Sequence, residues 1–426
     1  MTSLGKWGTV GHLTEDQAKA LSEFSETVSA SDLEVSRYSA ETREQVSCRF
    51  LRARKFDVAA AATLCREAAQ VLLDNNAKEC AEISPEQCLG CDEHVMKTFY
   101  PHGQQGFDRL GRLICYEHNG NSQVNALIKT TTLNRMVKYH FWTMENVFEE
   151  YFKRSPRDPS GQHIVSTFVI SDLENLGLSA LLIPATFDQI KRLIKIDNVC
   201  YPEMLGKMVL INAPGFAVSF FNMVKGWLDP RTQSKIEMLG SGPEMKKRLL
   251  EMISPENLPK MYGGLAPNPF YVKPNTEYVA VPRSGELKRT ITVPPGMTLQ
   301  VDNYISEGPI DLNIFCSNAD LPNPVLVETR LGMVPVVDGE PERFLVTIAQ
   351  SELTSGKEHT FSVVWSNANV WGQKMIVYSL TAVAPTVATR QLDVPSPQHD
   401  VPEYKVTVQG RIVEPGSPGL LGFFGF

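Results

Sequence analysis

Apolar residues between Leu13 and Leu72 recur at spacings of three and four, the mark of helices that bury a single stripe. Thr14 with Gln17 makes a capping-box pair ahead of a helix carrying Ala18, Leu21, Phe24 and Val28. Val46, Phe50 and Leu51 mark a second helix, and Asp57 is a natural N-cap for an alanine-rich third through Leu64, Ala68, Val71 and Leu72. From about Val95 to Gly264 short apolar runs alternate with long helical periods, which predicts an α/β sheet with crossovers. The expected strands are Leu113 to Glu117, Ile164 to Ser171, Met208 to Asn212 and Ile236 to Leu239. Between them one stripe runs through Leu133, Met136, Val137, His140, Phe141, Met144, Val147, Phe148 and Tyr151, and a second through Phe187, Ile190, Leu193 and Ile194. Beyond Gly263-Gly264 the helical periods give way to short β-rich stretches, including Thr290 to Val293, Thr298 to Val301, Phe344 to Ile348, Phe361 to Trp365 and Met375 to Leu380. These predict a β-sandwich. The fold class is therefore multi-domain: an N-terminal helical bundle over 1–80, an α/β domain over 90–265, an all-β sandwich over 268–385, and a Pro/Gly-rich tail over 386–426 that ends L-L-G-F-F-G-F.

One segment breaks the amphipathic rule. The run M-V-L-I-N-A-P leads into Phe216 to Leu228, which as a helix puts Phe216, Phe220, Met223 and Trp227 on one face with Phe221, Val224 and Leu228 beside them. Only Ser219, Asn222 and Lys225 form a thin polar stripe. At about 1.5 Å per residue the helix covers about 20 Å, short of the roughly 30 Å of a bilayer's hydrocarbon, so it is not a membrane span. The pattern alone leaves two readings, an ordinary core helix and a gate whose surface meets lipid tails. Asp229 and Pro230 are expected to stop it, and Thr232 and Lys235 follow at a spacing that can set a hydroxyl and an ammonium at the mouth of what the helix covers.

Composition narrows the classes. With 42% hydrophobic and 21% charged residues the chain is globular, and a net charge of −7 argues against a nucleic-acid partner, which requires a clustered basic surface. The first ten residues lack a long apolar core and position 2 is Thr, so a cytoplasmic location is expected. Eight cysteines spread over this length fit free thiols. Cys80, Cys88, Cys91 and His94 have a spacing compatible with zinc if a further ligand folds back, the alternative being a helix turn with unrelated thiols; neither metal nor cofactor is expected. The sandwich holds eight Lys or Arg against twelve Asp or Glu between Tyr271 and Val383, which favours packing or a protein partner over broad attraction to an anionic membrane.

The phosphate-loop, dinucleotide, serine-hydrolase and zinc-protease signatures are all absent, which disfavours an enzyme. The strongest basic cluster is Arg49, Arg52, Arg54 and Lys55 in C-R-F-L-R-A-R-K-F, and some 180 residues later comes D-P-R-T-Q-S-K. Together with D-R-L-G-R at Asp108, D-L-E-N-L-G-L at Asp172, Y-P-E-M-L-G-K at Tyr201, I-N-A-P at Ile211 and I-S-P-E-N-L-P-K-M-Y-G-G at Ile253, these motifs make the stretch from Leu13 to Gly264 resemble the CRAL-TRIO lipid-binding family. That family includes phosphatidylinositol transfer proteins, tocopherol-associated proteins and patellins. Residues 268–385, with V-V-W-S-N-A-N-V-W at Val363, resemble the GOLD domain that accompanies it in some members.

The resemblance implies a lipid headgroup site at Arg54, Glu203, Thr232 and Lys235 behind a hydrophobic gate of Phe216, Phe220, Phe221, Met223, Val224, Trp227 and Leu228. It implies phosphatidylinositol as the ligand and the membrane surface of Golgi or endosomes as a peripheral partner, with a protein partner for the GOLD-like domain. The tyrosine that relatives associate with phosphatidylcholine aligns with Cys115, and two hydroxyl positions align with Thr167 and Val169, which puts phosphatidylcholine in doubt. Two other classes stay open: a carrier of a single hydrophobic molecule such as a tocopherol, squalene or sterol precursor, and a trafficking adaptor that uses lipid as a signal.

Overall fold

Four helices, α1 (Glu15–Thr27), α2 (Ala30–Val35), α3 (Arg43–Ala53) and α4 (Val58–Asp74), form the N-terminal bundle. They belong to a computed structural model that describes residues 7–177, 184–228, 230–270, 273, 275–305, 309–319, 323–333, 342–348, 358–369 and 372–383. The tail over 386–426 lies outside the described residues. The capping box forms as expected: Thr14 Oγ1 accepts from Gln17 N at 3.3 Å, and Gln17 Oε1 accepts from Thr14 N at 3.1 Å. Asp57 Oδ1 caps α4 through Ala60 N at 2.9 Å. The buried stripe of α1 is Gln17, Ala20, Phe24 and Val28, so Ala18 faces solvent instead of the core. Phe24, Phe50, Leu51 and Leu64 then share one apolar cluster.

Short helices α5 (Ala77–Cys80), α6 (Pro85–Leu89) and α7 (Glu93–Phe99) lead into a five-stranded sheet. Its strands β1 (His102–Phe107), β2 (Leu113–Glu117), β3 (Thr167–Asp172), β4 (Leu205–Ile211) and β5 (Ile236–Met238) lie in sequence order. Only β1 is antiparallel to its neighbour. As a half-buried edge spelled H-G-Q-Q-G-F, it lacks the apolar run that marked β2 to β5. Register puts Cys115 beside Gln104 on one side and Val169 on the other. Both faces of the sheet are covered, as a mainly parallel sheet requires. Ile114, Phe168, Ile170 and Val209 pack under α14 (Pro243–Met252), while Cys115, Val169, Met208 and Leu210 face the larger core.

That larger core is roofed by α8 (Val124–Thr130), α9 (Leu133–Trp142), α10 (Glu149–Lys153) and α11 (Pro184–Cys200). The long stripe from Leu133 to Tyr151 is one helical rod, with a π-helical turn at Thr143–Phe148 joining α9 to α10. The expected gate helix is shorter than its pattern: α12 (Ala217–Val224) gives way to a 3₁₀ turn at Lys225–Trp227, where Gly226 weakens α-helix. Pro230, expected to stop a helix, opens α13 (Pro230–Ser234), where its missing N–H costs nothing.

Eight further strands build two four-stranded antiparallel sheets. One orders β10 (Val325–Met333), β9 (Ile310–Ser317), β12 (His359–Asn367) and β7 (Gly285–Val293). The other orders β11 (Glu342–Ile348), β8 (Thr298–Ile305), β13 (Lys374–Val383) and β6 (Thr276–Val281). Inward residues of both, such as Leu312, Phe361 and Trp365 against Val301, Ile376 and Leu380, share one core, so the sandwich forms as the pattern predicted. Lys273 ties it to the α/β body: its ammonium reaches Asp92 at 2.9 Å and Asp302 at 3.1 Å.

Candidate functional site

The C-terminal turn of α3 and the loops flanking β4 and β5 bring four charges together. Glu203 sits in the turn before β4 with φ of 63°, a left-handed conformation that is uncommon for a residue with a side chain. Its carboxylate meets Arg231 Nε at 3.0 Å, Lys235 Nζ at 3.3 Å and Arg52 Nε at 3.7 Å. Three cations around one carboxylate leave a local charge of about +2. Among the described residues the Arg52 Nε is buried without a hydrogen-bond partner. Burial lowers both the Lys235 ammonium and the Arg52 guanidinium from their ordinary values, with Glu203 opposing the shift and Arg231 adding to it. An added anion would reverse that cost, so the cluster is electrostatically suited to one.

Of the four residues expected here, Glu203 and Lys235 are in direct contact. Thr232 is half-buried on α13, and its carbonyl accepts from Lys235 N at 3.0 Å, which fixes the lysine's departure from the helix. Arg54 stands apart: it is exposed at the end of α3 and donates to its neighbour's carbonyl, Ala53 O, at 3.1 Å. Arg52 and Arg231 were not singled out. Arg52 lay unresolved within a four-cation run, and only the fold shows that it turns toward Glu203. Arg49 has a structural task, chelating Glu41 at 2.6 and 2.8 Å and donating to Pro202 O at 3.3 Å, which anchors α3 to the turn carrying Glu203. The guanidinium of Arg231 also lies over the ring of Trp7, 4.8 Å from its centroid.

The gate segment runs beside this cluster in sequence and is bonded to it. Gln233 Nε2 donates to the carbonyls of Lys225 and Leu228, each at 2.9 Å, joining α13 to the end of the gate. Ala217 and Leu228 are buried, and Phe216 and Phe221 pack against the large core. Val218 is 53% exposed on the outer side. The side chains of Phe220, Met223, Val224 and Trp227 lie outside the described residues.

Between the β1–β2 face and the roof lies a chamber of about 60 Å³, lined by Gln104, Cys115 and Glu117 below and by Tyr139, Thr143 and Gln189 above, among others. It has room for roughly four to six water molecules. Cys115 thus faces the interior, whereas the Thr167 hydroxyl is turned to Met204 O at 3.4 Å.

Metal-ligand spacing does not become a metal site at the cysteines. No three of Cys80, Cys88, Cys91 and His94 bring ligand atoms within 4.8 Å of one another, and all three thiols are buried. Among the described residues His118, Asp172 and Glu174 do converge. Asp172, however, already accepts from Tyr262 Oη at 2.9 Å, Asn212 Nδ2 at 2.8 Å and Glu174 N at 3.0 Å. This is a structural clamp at the ends of β2 and β3.

Known proteins resemble the chain over the same region. Residues 97–264 match the family model of the CRAL/TRIO domain, and residues 20–64 that of the CRAL/TRIO N-terminal domain. The phosphatidylinositol/phosphatidylcholine transfer protein SFH9 of Arabidopsis thaliana is 33% identical over 251 residues, 59% of this chain and 41% of that one. SFH7 of the same plant, named likewise, is 36% identical over 218 residues, 51% of this chain and 38% of that one. The chain therefore spans less than half the length of these plant relatives. The SEC14 cytosolic factor of Kluyveromyces lactis is 33% identical over 263 residues, 60% of this chain and 81% of that one. Among the described residues no helix is long and apolar enough to cross a membrane.

Proposed function

The chain belongs to the CRAL/TRIO family, and from that premise we propose that it binds a membrane phospholipid, phosphatidylinositol above all, behind the α12 gate and carries or presents it between membranes. The observation that carries this reading is the cluster of Arg52, Arg231 and Lys235 around the single carboxylate of Glu203, at the foot of the gate segment. A phosphodiester can take the place of Glu203 against the guanidiniums and the ammonium, while Thr232 and Glu203 bond inositol hydroxyls and the exposed Arg54 forms the outer edge. Each charge-assisted bond contributes on the order of 1.5 to 3 kcal/mol.

No bond is made or broken: the protein is a carrier, not an enzyme. Two acyl chains carry about thirty methylenes at about 0.8 kcal/mol each, so passage through water costs more than about 20 kcal/mol, whereas a protein interior and a bilayer nearly cancel. Loading includes outward movement of the gate formed by Phe216 to Leu228, which admits the chains. Phosphatidylcholine is disfavoured by Cys115 in the wall and by the engagement of the Thr167 hydroxyl. The sandwich is a GOLD-like module, with domain limits at 1–80, 90–265 and 268–385, that recruits a protein partner while the carrier works from the cytoplasm on Golgi or endosomal surfaces.

The test is lipid loading from mixed vesicles followed by mass spectrometry. Lys235→Ala is expected to lower phosphatidylinositol uptake at least tenfold while leaving thermal stability close to wild type. Equal uptake by the variant would reject this headgroup site.

A further inference from the structure

Gln189 is 1% exposed on α11, and among the described residues neither its amide nitrogen nor its amide oxygen has a hydrogen-bond partner. Burying an unpaired carboxamide is destabilising, and an apolar side chain of the same length would avoid it. Gln189 lines the interior chamber together with Glu117, Gln104, Tyr100, His102 and Thr143. Burial disfavours the charged form of each ionisable group among them. Burial pushes the Glu117 carboxyl well above the ordinary carboxylate range, with Asn119 opposing and Asp197 adding. Burial likewise holds the His102 imidazole down at about 4 and raises the Tyr100 phenol. Two lining residues pair with carboxylates outside the chamber wall, His140 with Asp197 and Tyr139 with Glu93, each at 2.7 Å. A phosphate here would meet the Glu117 carboxyl in place of the three cations at the rim. A hydroxyl or carbonyl oxygen would find a donor and an acceptor in one carboxamide.

We propose that Gln189 reads an uncharged ligand oxygen, hydroxyl or carbonyl, inside the apolar chamber, and so selects oxygenated lipids over hydrocarbons of the same shape. The selection rests on the reading of this protein as a lipid carrier but is independent of the headgroup rim at Glu203. Two sources supply that oxygen: the ester carbonyls of a glycerophospholipid, and the single hydroxyl of a neutral lipid alcohol. The orphaned carboxamide is the cost of this selectivity, since a position kept only for packing would be filled by an apolar residue.

The full chain is titrated with a pyrene-labelled long-chain alcohol and with the matching pyrene-labelled hydrocarbon, and separately loaded from vesicles containing diester or diether phosphatidylinositol. Wild type is expected to bind the alcohol about tenfold more tightly than the hydrocarbon. Gln189→Met is expected to remove that preference and to melt a few degrees higher, because it removes the unpaired amide; a structural glutamine would melt lower when replaced. Weaker uptake of diester lipid alone by the variant assigns the oxygen to the glycerol esters, and an effect on the alcohol alone assigns it to a neutral lipid; either supports the proposal. No effect of Gln189→Met on either the alcohol-over-hydrocarbon or the diester-over-diether preference, or the absence of both preferences in wild type, overturns it. Lys235→Ala separates the two readings, since it should reduce phosphatidylinositol uptake and leave the alcohol preference intact. Failure of wild type to take up any of the four probes would sink the carrier reading itself.

Discussion

Arg231 lies over the ring of Trp7, its guanidinium carbon 4.8 Å from the ring centroid, while its Nε holds Glu203 at 3.0 Å. The aromatic ring therefore orients, from the N-terminal segment, one of the cations around Glu203 that the proposed headgroup site uses. Trp7 is itself braced edge-on by Phe56 at 5.3 Å, and Gly8 follows with φ of 67° where a Cβ would come within 2.5 Å of the Phe56 ring. Trp7→Ala is expected to weaken phosphatidylinositol loading about two- to fivefold, the scale of a half-exposed cation–π contact. Trp7→Phe should recover part of it. Unchanged loading in Trp7→Ala would show that Arg231 keeps its place at Glu203 without the ring.

Glu203→Gln removes the carboxylate that compensates three cations. The variant is expected to melt several degrees below wild type, reflecting roughly 2 kcal/mol of lost compensation. It should then gain more than wild type from added inorganic phosphate, because an anion takes over the missing charge. Differential scanning fluorimetry across a phosphate series measures both effects.

Val218 is the clean test of the gate, since it is exposed whereas Phe221 packs against the core. Val218→Asp is expected to reduce vesicle co-sedimentation about tenfold without changing the melting temperature, and Val218→Ile to leave both as they are. Docking that survives Val218→Asp would move the membrane contact to another surface.

His102 gives the fold an acid-sensitive component. Its ring is buried between Tyr100 O at 2.8 Å and Tyr139 Oη at 3.2 Å, and burial lowers it from 6.5 to about 4. Between those values the unfolded chain binds the proton and the folded chain does not. Stability therefore falls as pH drops from about 6.5 toward 4 and this loss levels off below 4, amounting to about 3 kcal/mol in all. Urea titrations at intervals over that range should show the slope, and His102→Asn should flatten it.

Lys273 joins the two bodies. Burial alone would lower its ammonium, but Asp302 and Asp92 outweigh burial and raise it. Asp92 also caps α7 through His94 N at 2.7 Å, so the latch reaches an element whose Met96 lines the chamber. Lys273→Met leaves two carboxylates facing each other across the junction and is expected to cost about 3 kcal/mol. Calorimetry should then resolve separate transitions for the sandwich and the α/β body where wild type gives one.

Periodicity located what short-range physics governs. Capping at Thr14 and Asp57 and the strand over Leu113 to Glu117 follow from neighbours within a few residues, and each lies where its pattern puts it. β1 escaped notice because an edge strand with one half-exposed face needs no apolar alternation. β9, spelled I-D-L-N-I-F-C-S, does alternate and was legible, yet lay among denser turn signals. In the site, Glu203 and Lys235 were read through a resemblance, and their contact across 32 residues is set by the parallel pairing of β4 with β5. The choice of Arg52 over its neighbours in F-L-R-A-R-K-F depends on where α3 ends, at Ala53, which no composition of the run reveals. Gln189 carried no signal at all, because an isolated glutamine in a helical period reads as solvent-facing.

The two bonds from Gln233 to Lys225 O and Leu228 O give the carrier an interlock. On the carrier reading proposed above, a doorway at Phe216 to Leu228 cannot swing without tugging the short helix that bears Arg231 and Thr232, which would make admission of the oily tails and release of the polar end one mechanical stroke. On that reading a cargo molecule gripped at its head would keep the door shut behind it, and a bilayer that pries the door would loosen the grip at the same moment.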